Sequence, residues 1–302
     1  MSTRGSKTIP ELQFDRLNTN FSDSICEDQF GILYKGKMDD TEIAVKELTE
    51  STEKIFKEEV QNMMAPEHEN IARLVGFCSE GRSVHERPLL CYEYLPSILM
   101  TLDCYLFAFT PIYAAEGSAS SSAEHGVHWD ERFTIVKGIC QGLCCLHKLR
   151  VIHLDLKPAN IWLDENKVPK IGCFELYRFF GQGEIIKFTG SVAGSNGYMA
   201  PEYVHDGKIS AQADIYSLGL MIIEITTGVK KSRAIGQPSA RKYIDEIRKE
   251  WTPEHIASQY PSYDAERLQQ VYACIKVGLE CVQLDREKRP LIGAIVDRLN
   301  AS

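Results

Sequence analysis

Apolar residues in the first hundred positions occur in short runs that are separated by polar turns. Residues 30–34, 42–48 and 89–95 are compact runs of aliphatic and aromatic side chains. Runs of this length with turn residues at their ends predict β-strands. Residues 51–63 begin with capping hydroxyls and continue with apolar side chains at helical spacing, so one helix is expected in this strand-rich region.

The second half of the chain has a helical period instead. From Asp130 onward, apolar residues recur on one helical face. That face contains Phe133, Val136, Ile139, Cys140, Leu143 and Cys144. Residues 213–227 are almost wholly apolar and predict a buried helix, whereas residues 267–282 and 292–299 predict amphipathic closing helices.

These patterns predict an α+β, two-lobed protein. A strand-rich first lobe with one helix is followed by a mainly helical second lobe. At about residues 109–126 the pattern fails in a serine-rich stretch without a packing face. We interpret this stretch as a solvated surface insertion.

Charge and composition narrow the classes of partner and location. The 302 residues carry a net charge of -8, which disfavours nucleic acid as a partner because phosphate backbones need a basic surface. No apolar run approaches the roughly 20 residues that span a bilayer, and no apolar leader is visible at the start. We therefore expect a cytoplasmic protein, with peripheral association at the plasma membrane as the alternative.

The 10 cysteines are scattered and contain no Cys-x-x-Cys pair. A disulfide scaffold and a structural zinc site are therefore both disfavoured. Cys140, Cys144, Cys274 and Cys281 lie in apolar helical stretches, and we interpret them as small buried hydrophobic residues.

The octapeptide at residues 153–160 carries the strongest chemical signal in the chain. It reads HLDLKPAN, with Asp155, Lys157 and Asn160 close together in one polar loop. Phosphoryl transfer needs an aspartate that orients the attacking hydroxyl and an asparagine that reaches a metal ion. The octapeptide resembles the catalytic loop of protein kinases, in its serine/threonine form. The resemblance implies a catalytic acid/base at Asp155, a phosphate contact at Lys157 and a magnesium ligand at Asn160.

Further segments that resemble the same family follow in the expected order. An Ala-Val-Lys strand ending at Lys46 resembles the strand whose lysine binds the ATP phosphates, and Glu59 is the expected ion-pair partner of Lys46. Gly31 matches the last glycine of the phosphate-binding loop. The run that contains Glu93 and Leu95 resembles the hinge, where backbone groups meet adenine.

The resemblance also implies structural roles. Tyr92 would be the gatekeeper beside the hinge, and Glu202 of an Ala-Pro-Glu motif would pair with Arg289. Asp214 would support the catalytic loop from beneath. The similarity covers about residues 14–299 and is strongest to plant receptor-like serine/threonine kinases, in their cytoplasmic form. It implies the bilobal protein-kinase fold, with an N-terminal tail at residues 1–13, a small lobe with an antiparallel sheet and one helix at 14–95, and a large, mainly helical lobe at 96–300.

Two loops depart from the family pattern. Cys173 stands where an Asp-Phe-Gly motif has its magnesium-binding aspartate, and Glu175 stands where that motif has its glycine. Magnesium prefers oxygen ligands to a thiol, although the Glu175 carboxylate is open as a substitute. In the glycine-rich loop only Gly31 remains, because Cys26 and Asp28 occupy the other two glycine positions. Asp28 adds negative charge where phosphates would bind.

A third departure lies in the catalytic loop itself, where Leu154 replaces the arginine that meets a phosphorylated activation segment.

The expected function is ATP-dependent phosphoryl transfer to protein serine or threonine, at a rate that is lowered because the magnesium site is weakened or lost. The alternative is a pseudokinase that acts as a signalling scaffold or allosteric partner. A protein substrate or signalling partner is expected in either case, with a membrane receptor complex as one form of it.

Overall fold

A computed structural model describes residues 7–8, 10–12, 17–49, 64–65, 67–78, 87–94, 101–107, 127–230 and 240–302. The helix predicted at 51–63, the serine-rich stretch and most of the N-terminal tail lie outside these ranges. Within the described part of the chain, no helix is both long and apolar enough to cross a bilayer.

The first lobe is built on an antiparallel sheet. Its described strands are β1 (Lys7–Thr8), β2 (Leu17–Asp28), β3 (Gly31–Met38), β4 (Thr41–Leu48), β5 (Met64–Ala65), β6 (Leu74–Cys78) and β7 (Leu89–Glu93). The five-stranded sheet has the order β2-β3-β4-β7-β6, while β1 pairs separately with β5. The antiparallel register of β3 with β4 places Leu33 opposite Lys46 in the centre of the sheet.

The second lobe is mainly helical. Its described helices are α1 (Leu102–Phe107), α2 (Trp129–Lys148), α3 (Pro201–Asp206), α4 (Ala211–Thr227), α5 (Ala240–Glu250), α6 (Pro253–Gln259), α7 (Ala265–Cys281) and α8 (Ile292–Asn300). Short strands complete it: β8 (Val151–Ile152), β9 (Ile161–Leu163), β10 (Pro169–Ile171), β11 (Arg178–Phe179), β12 (Lys187–Phe188) and β13 (Lys208–Ile209).

The predicted fold class is confirmed, and the strongest periodic patterns are found within one or two residues of their expected bounds. The buried helix expected at 213–227 is α4, whose residues from Ala213 to Thr226 are buried almost without interruption. Its apolar side chains form the centre of the large lobe because α2 and α7 pack against it. Strand β6 and the length of β2 were missed, since Gly76 interrupts β6 and β2 has no apolar alternation.

Cysteine burial follows the sequence interpretation with one difference. Cys140, Cys274 and Cys281 are buried free thiols, whereas Cys144 is only partly buried. The buried cysteines therefore act as small apolar residues of the core.

Gly207 ends α3 in a left-handed conformation that an L side chain disfavours. Its φ is 61°, and a Cβ there would lie 2.1 Å from the carbonyl oxygen of Thr189. We expect Gly207→Ala to destabilise the protein by at least roughly 1–2 kcal/mol from backbone strain alone. Gly190→Ala is the matched control, because nothing lies within 4 Å of a Cβ at Gly190. Urea unfolding would measure the free energy of unfolding of both variants, and equal values for Gly207→Ala and Gly190→Ala would contradict the expectation.

Candidate active site

The loop at residues 153–160 is anchored from below by a buried carboxylate at the start of α4. The backbone N–H groups of His153 and Leu154 donate to the two oxygens of Asp214, at 2.8 and 2.9 Å. His147 lies 3.0 Å from the same carboxylate. Leu154 takes a left-handed φ of 67° in this arrangement. The supporting position predicted for Asp214 is confirmed.

The three polar residues of the loop converge on one carboxylate. Asp155 Oδ2 lies 3.0 Å from Lys157 Nζ and accepts a hydrogen bond from Asn160 Nδ2 at 2.7 Å. Asp155 Oδ1 accepts the backbone N–H of Ser195 at 2.8 Å, and Lys157 Nζ donates to the Ser195 hydroxyl at 2.6 Å. The sequence predicted the first three residues together but did not place Ser195 on them.

Lys46 is an almost fully buried cation between two carboxylates. Its Nζ lies 2.8 Å from Asp28 Oδ2 and 3.2 Å from Glu175 Oε1, and the side chain is 1% exposed. Burial alone would lower the Lys46 pKa, but the nearby Glu175, Cys173 and Asp28 side chains keep that pKa above its ordinary value. The predicted partner Glu59 lies outside the described residues.

The turn between β2 and β3 is closed by the side chain of Asp28. Asp28 Oδ1 accepts the backbone N–H groups of Phe30 and Gly31, at 2.8 and 3.0 Å. Gly31 is required here because a Cβ would lie 2.1 Å from the Glu47 carbonyl oxygen. An aspartate in a tight turn commonly accepts a hydrogen bond from the backbone N–H two residues on, so the contact from Asp28 to Phe30 could have been predicted from the sequence. The Cys26 side chain lies outside the described part of the chain.

Cys173 adopts a left-handed backbone conformation in the loop that follows β10. Its φ is 63° and its side chain is buried. The left-handed residue of this loop is therefore Cys173 and not Glu175, although Glu175 occupies the position of the family's glycine. The loop is fixed on both sides, since His153 Nε2 donates to the Gly172 carbonyl oxygen at 2.8 Å and the Phe174 N–H donates to the Tyr92 hydroxyl at 3.1 Å.

The side chains at the family's magnesium-binding positions do not fit a magnesium ion well. Asn160 donates from its amide nitrogen to Asp155, which leaves its side-chain oxygen as the one ligand that it can offer, whereas Cys173 offers a thiol where an oxygen ligand is needed. Glu175, the substitute that the sequence left open, is engaged by Lys46. The backbone donors of the β2–β3 turn are likewise engaged, by Asp28. No reaction step is therefore assigned to a metal ion here.

The predicted hinge residues are only partly described. Tyr92 is fully buried and meets Trp162 edge-on, with ring centroids 5.3 Å apart. Glu93 ends β7 with an exposed side chain, and its N–H donates to the Arg73 carbonyl oxygen at 2.9 Å. Leu95 lies outside the described residues. The burial of Tyr92 is compatible with a gatekeeper position.

The predicted pair between Glu202 and Arg289 is confirmed. Two guanidinium nitrogens donate to the two Glu202 oxygens at 2.6 and 2.8 Å. Arg289 also donates to the carbonyl oxygens of Gln283 and Gln212, both at 2.8 Å. A bidentate pair of this kind ties the first turn of α3 to the turn before α8.

Comparison with known proteins supports the same family. Residues 20–298 match the protein kinase domain family. In Arabidopsis thaliana, cysteine-rich receptor-like protein kinase 6 is 33% identical over 100% of this chain and 44% of its own length. Cysteine-rich receptor-like protein kinase 10 is 34% identical over 93% of this chain and 41% of its own length. A G-type lectin S-receptor-like serine/threonine-protein kinase is 34% identical over 98% of this chain and 35% of its own length.

The chain thus spans less than half the length of these curated relatives. Members of the matched family in general use ATP and magnesium for phosphoryl transfer. The geometry around Asp155, the buried support from Asp214 and the pair between Glu202 and Arg289 agree with that match. The chain belongs to the protein kinase family, and its relatives are plant receptor-like serine/threonine kinases.

Proposed function

We propose that this chain is a signalling domain whose phosphoryl transfer to protein serine or threonine is weak. The observation that carries the proposal is the pairing of an intact catalytic loop with Cys173. Asp155, Lys157 and Asn160 are assembled within hydrogen-bonding distance, whereas Cys173 supplies sulfur where the family has a carboxylate.

Within this proposal, the chain's own residues orient the acceptor. Asp155 accepts the proton of a serine or threonine hydroxyl, and Lys157 offsets negative charge on the transferred group. Lys46 and Gly31 are the proposed contacts to the nucleotide phosphates, and Glu59 is the proposed ion-pair partner of Lys46. Glu93 and Leu95 are the proposed hinge residues. Asn160 is the proposed remaining ligand for magnesium.

The expected loss in rate is large but finite. Removing one preorganised electrostatic contact typically costs about 10²–10³ in kcat. This chain lacks the carboxylate at Cys173 and also has a negatively charged residue, Asp28, in its phosphate-binding loop. More than one such contact is therefore altered, while the proposed base Asp155 is retained.

A pseudokinase that acts as a scaffold or allosteric partner is the second candidate. It is favoured by the arrangement around Lys46, whose ammonium already contacts Asp28 and Glu175. In either case we propose a protein partner, with a membrane receptor complex as one form of it, in the cytoplasm or peripherally at the plasma membrane.

Thermal unfolding with ATP, with and without magnesium, tests the proposed defect. A ligand at 100 times its Kd stabilises a protein by about 2.7 kcal/mol, which corresponds to several degrees in Tm. We expect millimolar ATP to give a much smaller shift, and magnesium to add almost nothing to it, because Cys173 is a poor magnesium ligand.

Transfer of radiolabelled phosphate to a generic protein substrate completes the test. Asp155→Asn is the control, since any genuine transfer by this site should fall to background in that variant. Weak label that disappears in Asp155→Asn supports the weak kinase, whereas no label in either protein supports the scaffold. A large magnesium-dependent shift with rapid labelling would contradict the proposed weakness.

A further inference from the structure

The carboxylate of Asp28 makes three contacts that are typical of a bound phosphate oxygen. Its Oδ1 accepts the N–H groups of Phe30 and Gly31, and its Oδ2 lies 2.8 Å from Lys46 Nζ. Backbone N–H groups of a tight turn together with a lysine form a typical anion-binding concavity in proteins. In this chain the anion comes from the protein itself.

We propose that Asp28 is an internal anion that occupies the phosphate-binding donors of the cleft and competes with a phosphorylated ligand for them. Asp28 stands at a glycine position of the family's phosphate-binding loop, so its carboxylate lies where that loop's backbone would meet phosphates. The inference concerns binding alone and does not depend on whether transfer is weak.

The charge balance at Lys46 supports this assignment. The ammonium contacts two carboxylates, Asp28 and Glu175, so acidic side chains outnumber the one basic side chain in this group of three. A phosphate that approaches Lys46 is repelled by these carboxylates, and the N–H groups and the ammonium that could bind it are already hydrogen-bonded to Asp28. The Asp28 side chain is 25% exposed, whereas that of Lys46 is 1% exposed. The carboxylate is therefore on the solvent side of the buried cation, which is the side from which a ligand arrives.

The test is a binding titration of three proteins without magnesium. The full chain, Asp28→Asn and Glu27→Gln are each titrated with ATP and with adenosine in the presence of a metal chelator. Asp28→Asn preserves an acceptor for the turn N–H groups but removes the charge at Lys46. Glu27→Gln removes one charge from the neighbouring residue, which is exposed.

We expect Asp28→Asn to tighten ATP binding by about 10- to 100-fold, the range that follows from removing one nearby like charge. Adenosine has no phosphate, so its affinity should change less than about threefold. Glu27→Gln should leave the affinity for ATP within about threefold, because an exposed charge is well screened.

Three results would overturn the inference. An unchanged affinity for ATP in Asp28→Asn would mean that the carboxylate does not compete with phosphate. Equal tightening of ATP in Asp28→Asn and Glu27→Gln would mean that net charge alone governs binding. Equal tightening of ATP and adenosine in Asp28→Asn would mean that Asp28 closes the cleft as a whole. Circular dichroism verifies folding, and Asp28→Ser, which also keeps a small acceptor, is the replacement variant if Asp28→Asn does not fold. Rapid transfer by the unaltered chain would contradict only the proposed function.

Discussion

Replacing Arg289 with methionine should lower the free energy of unfolding by about 3–5 kcal/mol, the usual cost of removing one partner of a buried ion pair. The Arg289 side chain is 0% exposed and that of Glu202 is 10% exposed, so the remaining carboxylate would lose its partner away from water. The carbonyl oxygens of Gln283 and Gln212 would also lose a donor. Urea unfolding followed by circular dichroism measures the effect.

The chain offers a matched control for this substitution in a second arginine–glutamate pair. Arg298 and Glu280 are 37% and 36% exposed, so water can replace their interaction. Arg298→Met should therefore cost no more than about 1 kcal/mol. If both variants lost the same stability, burial would not be what makes the pair between Arg289 and Glu202 important.

Replacing Cys173 with aspartate should raise magnesium-dependent phosphoryl transfer by about 10²–10³, the usual worth of one preorganised electrostatic contact. The substitution supplies a hard oxygen ligand in place of the thiol. Aspartate also tolerates the left-handed φ of 63° at this position better than most residues do. The measurement is initial rate of label transfer at several magnesium concentrations.

Cys104→Asp is the control for the charge and the lost thiol, because Cys104 is exposed on α1 and distant in sequence from the loop. That variant should transfer no faster than the unaltered chain. Adding Glu175→Gly to Cys173→Asp should raise the rate further, since Glu175 would no longer contact Lys46. If Cys173→Asp gave no gain over Cys104→Asp, the block would lie elsewhere in the cleft.

The sequence was most informative where chemistry depends on neighbours in the chain. Asp155, Lys157 and Asn160 lie within one loop, so their convergence follows from local spacing. Helix α4 was equally clear, because its apolar run leaves burial as the only stable arrangement. Glu202 and Arg289 were paired only through the family resemblance, since 87 positions separate them.

The sequence by itself determined the family, the catalytic loop and the two substitutions, Cys173 and Asp28, that make this protein unusual. Only the tertiary structure decided what those substitutions do. It brought Asp28 and Glu175 onto the same buried ammonium of Lys46 and placed the left-handed conformation at Cys173 rather than at Glu175. The physical reason is that charge interactions depend on distance and burial, and residues far apart in a chain acquire both only when the sheet and the loops pack together.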